Sequence, residues 1–431
     1  MTDLLEKLCP LSAASAAVPH REQRESARQQ LLRFGLPGDR IESWKYTSLR
    51  PLSLVAMETA VSVPEQALAK LASEVLGTTP AAGVIVLAEG QCLLLNTPDW
   101  VHSFATLLEQ QPYRANSLLQ PDAQVREHAS DSFIWMNLAC SDHGVVIEVP
   151  AQTVVDAPLH IIHADAASVG HDHADAASAS HRRVHIHCAQ GAKISIIEHF
   201  VQGGAGLSNI YRSIELDQQA RLDLMQLRAA DDRAHMLEHS HVQQQAASSC
   251  RLWDLATGGR LMRQEVRCAL QGASAGFAHH GLLLGHARRH MDQHVLARHI
   301  AANCHSRQLF RSVLANRSRG VINTAASVAA GADGSDVQQH CASILLSPNA
   351  EMDAKPQLEI LADEVLASHG ATIGQLDDEA LFYLRSRGLS EPQARSLLLQ
   401  GFVQTLLETL PEKLRIDAVQ PLVQAQLEIM L

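Results

Sequence analysis

Twenty-four histidines in a chain of 431 residues are the first chemical signal, because they are gathered rather than spread. They crowd into HADAASVGHDHADAASASHRRVHIH (His163–His187) and HHGLLLGHARRHMDQHVLARH (His279–His299). Neutral imidazole suits iron, zinc, copper and nickel, so a metal buffer is one function these stretches predict. His286, His290 and His294 fall on one face whether their segment is a strand or a helix. The first stretch is rich in Ala, Asp and Ser and reads as an external loop. Neither stretch defines a ligand set of three or four, so the competing expectation is that these histidines are polar residues facing solvent. Two further residues could bind a soft metal: Cys341 in QQHCASILLS and His369 in the glycine-rich SHGAT. His369 has only Asp363 and Glu364 as nearby carboxylates, and a single turn histidine is as readily structural. GxSxG, GxxxxGK[ST] and HExxH are all absent, so no nucleophile elbow, phosphate loop or zinc-protease helix is predicted.

The eight cysteines (Cys9, Cys92, Cys140, Cys188, Cys250, Cys268, Cys304 and Cys341) include no CxxC pair. That spacing argues against zinc ribbons and against stable all-cysteine clusters within one chain. The start, MTDLLEKLCPLSAAS, lacks the basic-then-apolar pattern of a secretory signal. The expectation is therefore a cytoplasmic protein with free thiols, most of them small core residues. A net charge of −11 argues against nucleic acid, which needs a basic face. No apolar run is long enough to span a bilayer. Aromatics make up only 4% of the chain, which predicts an interior of aliphatic side chains and alanine.

The elements that must position these residues change character along the chain. Residues 1–130 read as a mostly helical N-terminal region, with a helix over His20–Phe34 ended by Gly35, and two short strands about a Glu89-Gly90 turn. Residues 131–370 are dominated by alternating apolar and polar residues, as in GVVIEVP (Gly144–Pro150) and SIELDQQARLDLMQL (Ser213–Leu227). Small-residue turns at Gln190-Gly191-Ala192, Gln219-Ala220, Gln245-Ala246-Ala247 and Gln271-Gly272-Ala273 recur roughly every 27 residues, a spacing at which coils of a solenoid repeat. Such a strand pair cannot bury its apolar face alone, whereas stacking coil on coil buries a continuous column. This predicts a mainly β protein built on a right-handed parallel β-helix, with an antiparallel β-sandwich as the competitor. Solenoid ends need covering, and the helical N- and C-terminal regions are placed to serve.

Residues 371–431 read as a C-terminal helical domain with unusually well marked ends. Asp377 is an N-cap followed by Asp378 and Glu379, where the helix dipole favours negative charge. Arg385 and Arg387 fill the last turn, and Gly388 supplies the left-handed stop. Ser390 opens a second helix with Gln393 as its capping-box partner and Pro392 in the first turn. Ala394, Leu398, Phe402 and Leu406 give it an apolar stripe, and Pro411 stops it.

SHGATIGQLDDEALFYLRSRGLSEPQARSLLLQGF (Ser368–Phe402), extended upstream by KPQLEILADEVLASHGAT (Lys355–Thr372), resembles the C-terminal signature of the SufB/SufD family of iron–sulfur cluster assembly proteins. IESWKYTSL (Ile41–Leu49), LFYLRSRG and the Gly370 after His369 resemble the SufD branch. The resemblance implies a right-handed parallel β-helix with helical ends. It implies a non-enzymatic scaffold that pairs with a SufB-like paralogue and docks a SufC-like ABC ATPase through its C-terminal helices, supporting iron acquisition and cluster formation at the SufB–SufD interface. The implied cargo is transient iron or an iron–sulfur cluster shared with SufB. No tightly bound cofactor is implied, although reduced flavin (FADH2) is associated with such complexes. By resemblance His369 is the interface histidine that helps hold the forming cluster. Cys341 is either an auxiliary ligand or a small core residue. Gly370 stands where SufB carries an acid, so the SufB set is incomplete. Tyr383, Arg385, Arg387 and Glu391 are the expected contacts for the ATPase. The alternatives are a SufB-type scaffold, a homodimer formed without SufB, or a β-helix carbohydrate-active enzyme such as a polysaccharide lyase.

Overall fold

The computed structural model describes residues 2–9, 21–58, 62–120, 123–141, 143–169 and 177–431. Its helices are α1 (Thr2–Leu8), α2 (Arg21–Phe34), α3 (Arg50–Ser53), α4 (Glu65–Leu76), α5 (Phe104–Gln110), α6 (Pro112–Leu118), α7 (Ser132–Cys140), α8 (Asp378–Ser386), α9 (Glu391–Leu407) and α10 (Val419–Met430). The strands begin with β1 (Gly83–Ala88), β2 (Gln91–Leu95), β3 (Val101–Ser103), β4 (His143–Val149), β5 (Leu159–Ala164), β6 (Ala179–Cys188), β7 (Lys193–Phe200) and β8 (Leu207–Leu216). They continue with β9 (Arg221–Arg228), β10 (His235–Gln244), β11 (Ser249–Ala256), β12 (Leu261–Leu270), β13 (Gly276–Gly285) and β14 (His290–His299). The last are β15 (His305–Leu314), β16 (Arg319–Val328), β17 (Ser335–Leu345), β18 (Glu351–Ile360) and β19 (Val365–Gly374).

Odd and even strands separate into two sheets. One runs β19-β17-β15-β13-β11-β9-β7-β5-β1-β2, the other β18-β16-β14-β12-β10-β8-β6-β4-β3. Every pairing from β4 onward along each sheet is parallel and in unbroken register, which makes a β-solenoid of about seven turns. The antiparallel sandwich is excluded. The turns work as their small residues suggest. Gly191, Gln219, Ala247 and Ser274 all take positive φ, so each coil rounds its corner through one left-handed residue. At the first end the sheets finish in antiparallel strands, β2 turning back from β1 through Glu89-Gly90 and β3 pairing β4.

The helices lie along the flanks. Leu399, Val403 and Leu406 of α9 and Val423 and Leu427 of α10 bury the outward side chains Ile197, Met225, Trp253, Leu255 and Leu282. On the opposite flank, α1, α2 and α7 cover Leu207, Tyr211, Leu237 and Leu261. The expectation that the C-terminal hairpin would cover the end of the solenoid is therefore corrected: β18 and β19 end their sheets with most residues exposed or half-exposed. Two apolar flanks, each wider than one helix, claim the helices first.

The interior also departs from the aliphatic expectation. Glu198, Arg212, Arg228, Glu238 and Asp254 are fully buried in the lumen. Arg212 Nε donates to Glu198 at 2.9 Å, and Arg228 donates to Glu238 at 2.6 and 3.0 Å and also to Asp254. Burial alone would raise the Glu198 carboxyl, but the Arg212 guanidinium and His163 hold it well below the usual carboxylate range.

The expectation of free thiols fails for two residues. Cys9 and Cys140, with Cα atoms 6.2 Å apart, form a disulfide joining the end of α1 to the end of α7. A separation of 131 residues leaves no spacing signal in the sequence. Closing so long a loop restricts the unfolded chain, so dithiothreitol is expected to cost about 2–4 kcal/mol. The check is the denaturant midpoint with and without reductant, with a Cys9→Ser chain that reductant should not affect.

Candidate functional site at the open end of the solenoid

β19 has no strand beyond it, and its ten residues carry no Asp, Glu, Lys, Arg or Pro. β18, the last strand of the other sheet, carries Glu351, Asp353, Lys355, Pro356 and Glu359. Charge and proline protect an edge from pairing with another chain, and β19 has neither. It presents Leu366, 72% exposed, and Ile373, 48% exposed.

His369 sits on this strand in register with Gln339 of β17. Gln339 is buried in the lumen, so His369 belongs to the inward column and is exposed only because the solenoid stops there. It borders a groove of about 480 Å3 shared with His280, Arg307, His340, Gly370 and Thr409, the last of these just beyond the end of α9. Gly370 leaves the ring of His340 uncovered, because a Cβ there would lie 3.9 Å from its Nδ1. Cys341 is in register with Ala371, two residues along from His369 on the same inward face, with Phe310 beneath it. It is 1% exposed, and burial pushes its thiol up to about 11. In this structure Cys341 packs as part of the solenoid core.

The hairpin forms as its caps predict. Asp377 accepts from the amides of Glu379 and Ala380 at 2.9 and 3.1 Å, Gly388 takes φ +97°, and Ser390 and Gln393 close a capping box. The stripe of α9 is Ala394, Leu399, Val403 and Leu406, with Leu398 and Phe402 half-buried at its margin. α8 buries none of its residues. It exposes Phe382 (75%) and Tyr383 (57%), with Arg387 over the Tyr383 ring and Arg385 paired to Glu391 at 3.5 Å. All four expected docking residues thus lie together. Phe382 was missed, although an aromatic directly before Tyr383 in a short polar helix is a readable signal.

The histidine stretches correct the solvent-facing expectation where they are described; residues 170–176 of the first lie outside the described residues. His279 and His299 point into the lumen, and burial lowers them to about 3 and about 4. His290 and His294 share the outer face of β14, while His286 lies in the turn before it. Among the described residues, no group of three or more His, Cys, Asp or Glu is placed to hold a metal.

That outer face shows what IESWKYTSL does. Trp44 stacks on Phe133 and lies under the Arg263 guanidinium at 4.1 Å, and Thr47 donates to Asp292, which Arg263 also binds. Beside it, Arg267 grips Asp131 at 2.6 and 2.7 Å. The motif is a clip that fastens the N-terminal region to the solenoid.

A parallel solenoid with helices along both flanks, a last strand bearing neither formal charge nor proline, and an exposed aromatic helix near it is the class of fold in hand. The family profile described as "SUF system FeS cluster assembly, SufBD core domain" matches residues 170–402. The iron–sulfur cluster assembly protein SufD of Escherichia coli is 28% identical over 91% of this chain and 89% of its own length. A SufBD-family iron–sulfur cluster assembly protein of Synechocystis is 25% identical over 90% of this chain and 87% of its own. A chloroplastic protein of Arabidopsis thaliana is 27% identical over 62% and 57%. The chain belongs to the SufB/SufD family of the SUF system, in its SufD branch. Its role is therefore that of an iron–sulfur cluster assembly scaffold, which displaces the carbohydrate-active and SufB-type alternatives. No helix among the described residues is long and apolar enough to cross a membrane.

Proposed function

We propose that this chain is a non-enzymatic subunit of a cytoplasmic SUF complex that pairs through β19 with a SufB-like paralogue. Iron or a nascent cluster is the cargo, held between the two chains with His369 as this chain's ligand. The carrying observation is the unprotected edge itself, ten residues without Asp, Glu, Lys, Arg or Pro on a last strand that no described strand covers. A neutral imidazole at such a seam binds iron weakly enough to pass it on. The SufC-like ATPase docks on α8 and its C-cap, where Phe382, Tyr383, Arg385 and Arg387 are all exposed. Because α8 packs on α9, and α9 is seated on β13 and β15, force applied at α8 reaches the coils next to His369.

One purification tests the reading. A tagged chain from its native cell is expected to bring down a SufB-like protein and a small ABC ATPase. Arg385→Glu with Arg387→Glu should lose the ATPase by about tenfold or more while keeping the SufB-like partner, since rim and hot-spot arginines act locally. His369→Ala should keep both partners and lose cluster assembly. Retention of the ATPase by the double variant would remove the docking assignment, and full assembly by His369→Ala would remove the ligand.

A further inference from the structure

The last coils hold a line of polar side chains that solenoid packing does not require. His279, Gln308, Gln339 and His369 follow one another along a single inward column, in register across β13, β15, β17 and β19. Strands stacked in this way lie about 4.8 Å apart, so each side chain rests on the one before it. The neighbouring inward column, Phe310–Cys341–Ala371, is apolar over the same coils. Gln308 and Gln339 are 1% and 3% exposed, yet Gln308 Oε1 and both polar atoms of the Gln339 amide have no hydrogen-bond partner. Buried amides are seldom left so, and each such case calls for an explanation.

One bond in the line is made, and it sets a direction. Gln308 Nε2 donates to the main-chain carbonyl of Ala325 at 3.1 Å. A carbonyl can only accept, so the oxygen of Gln308 is left to accept in turn. That oxygen has His279, whose ring nitrogens are also unpartnered, on one side and Gln339 on the other, and rotation of the Gln339 side chain would let its Nε2 donate to it. Its own oxygen then faces His369, where the remaining partner it can take is a ring N–H.

We propose that Gln339 is the positioning residue of His369, accepting from one ring nitrogen so that the other presents its lone pair away from the lumen, toward whatever covers the edge. The line Ala325–Gln308–Gln339–His369 then has a donor facing an acceptor at every step. It selects one neutral tautomer, as the outer partner of a metal-binding histidine does. Why it matters rests on His369 being the cargo ligand, but its test does not.

The full chain is labelled with 15N-histidine and observed by NMR at one pH where the ring is neutral, with His369 assigned by difference from a His369→Asn chain. One tautomer of His369 is expected to dominate by about tenfold, roughly what a single hydrogen bond supplies. Gln339→Glu, which still accepts, should preserve that preference. Gln339→Met, of similar volume and without an acceptor, should reduce it to a mixed population, and Gln308→Met should loosen it in the same direction. A wild-type ring divided evenly between tautomers overturns the proposal with no variant needed, as does an unchanged preference in Gln339→Met. If the ring is locked and His369→Ala still assembles clusters, positioning stands and the ligand reading falls. If the ring is unlocked and His369→Ala fails in assembly, the reverse holds.

Discussion

Arg228→Met is expected to destabilise the chain by about 4 kcal/mol or more, among the largest costs any single substitution here would carry. Arg228 lies in the lumen with no exposed surface, its guanidinium over the Phe200 ring and shared between Glu238 and Asp254. Methionine keeps most of the stem and removes the charge. Glu238 is then left with only a 3.4 Å contact to Arg212, and Asp254 with the amides of Gln293 and Gln264. Two carboxylates stranded at zero exposure must either stay charged in a poor dielectric or take up protons. The deficit relative to wild type should therefore shrink as the pH falls toward and through the ordinary carboxylate range. Adding Glu238→Gln to Arg228→Met should restore part of the loss. Removing Glu391 from its exposed pair with Arg385 is the contrasting case, expected to cost less than about 1 kcal/mol. Equilibrium denaturation of the four chains decides it, and an Arg228→Met chain within about 1 kcal/mol of wild type would show that the lumen solvates its own charges.

The same cluster marks where sequence reasoning stops. The solenoid was legible because its signal is local and repeated: a left-handed corner, then alternation, then another corner. The hairpin was legible because Asp377, Gly388 and Ser390 each act within three residues of themselves. Alternation does not say which face is inside once helices cover the outside as well. In Ile196-Ile197-Glu198, Ile196 points into the lumen, Ile197 points outward beneath the C-terminal helices, and Glu198 points inward again. A polar residue in such a strand reads as exposed when it is as fully buried as its two apolar neighbours. The Gln339–His369 stacking was hidden for the opposite reason, since it depends on how coil length brings distant strands into register, and the disulfide because it depends on how α1 and α7 pack on the same flank. His369 itself was found by family resemblance; its own neighbours in the chain say little about it.

The second large effect concerns the edge. Ala371→Glu should leave the isolated chain folded and its melting temperature nearly unchanged, yet weaken pairing with a SufB-like partner by about 100-fold or more. Ala371 is exposed, inward-facing and small, on a strand with no charge to repel a neighbour. In the free chain a glutamate there stays in water, and exposed substitutions of this kind cost little, within about 0.5 kcal/mol. Covered by a second solenoid it becomes an unpaired buried carboxylate, costing several kcal/mol, and about 2.7 kcal/mol already corresponds to 100-fold. The comparison that isolates this is β18. Its Glu359 is exposed on an edge already bearing charge and Pro356, so Glu359→Ala should change pairing by less than about threefold. Sedimentation or calorimetric titration of each chain against the partner measures both. Equal effects at the two edges would mean that the partner does not distinguish β19 from β18, and that the bare strand is not what holds the complex together.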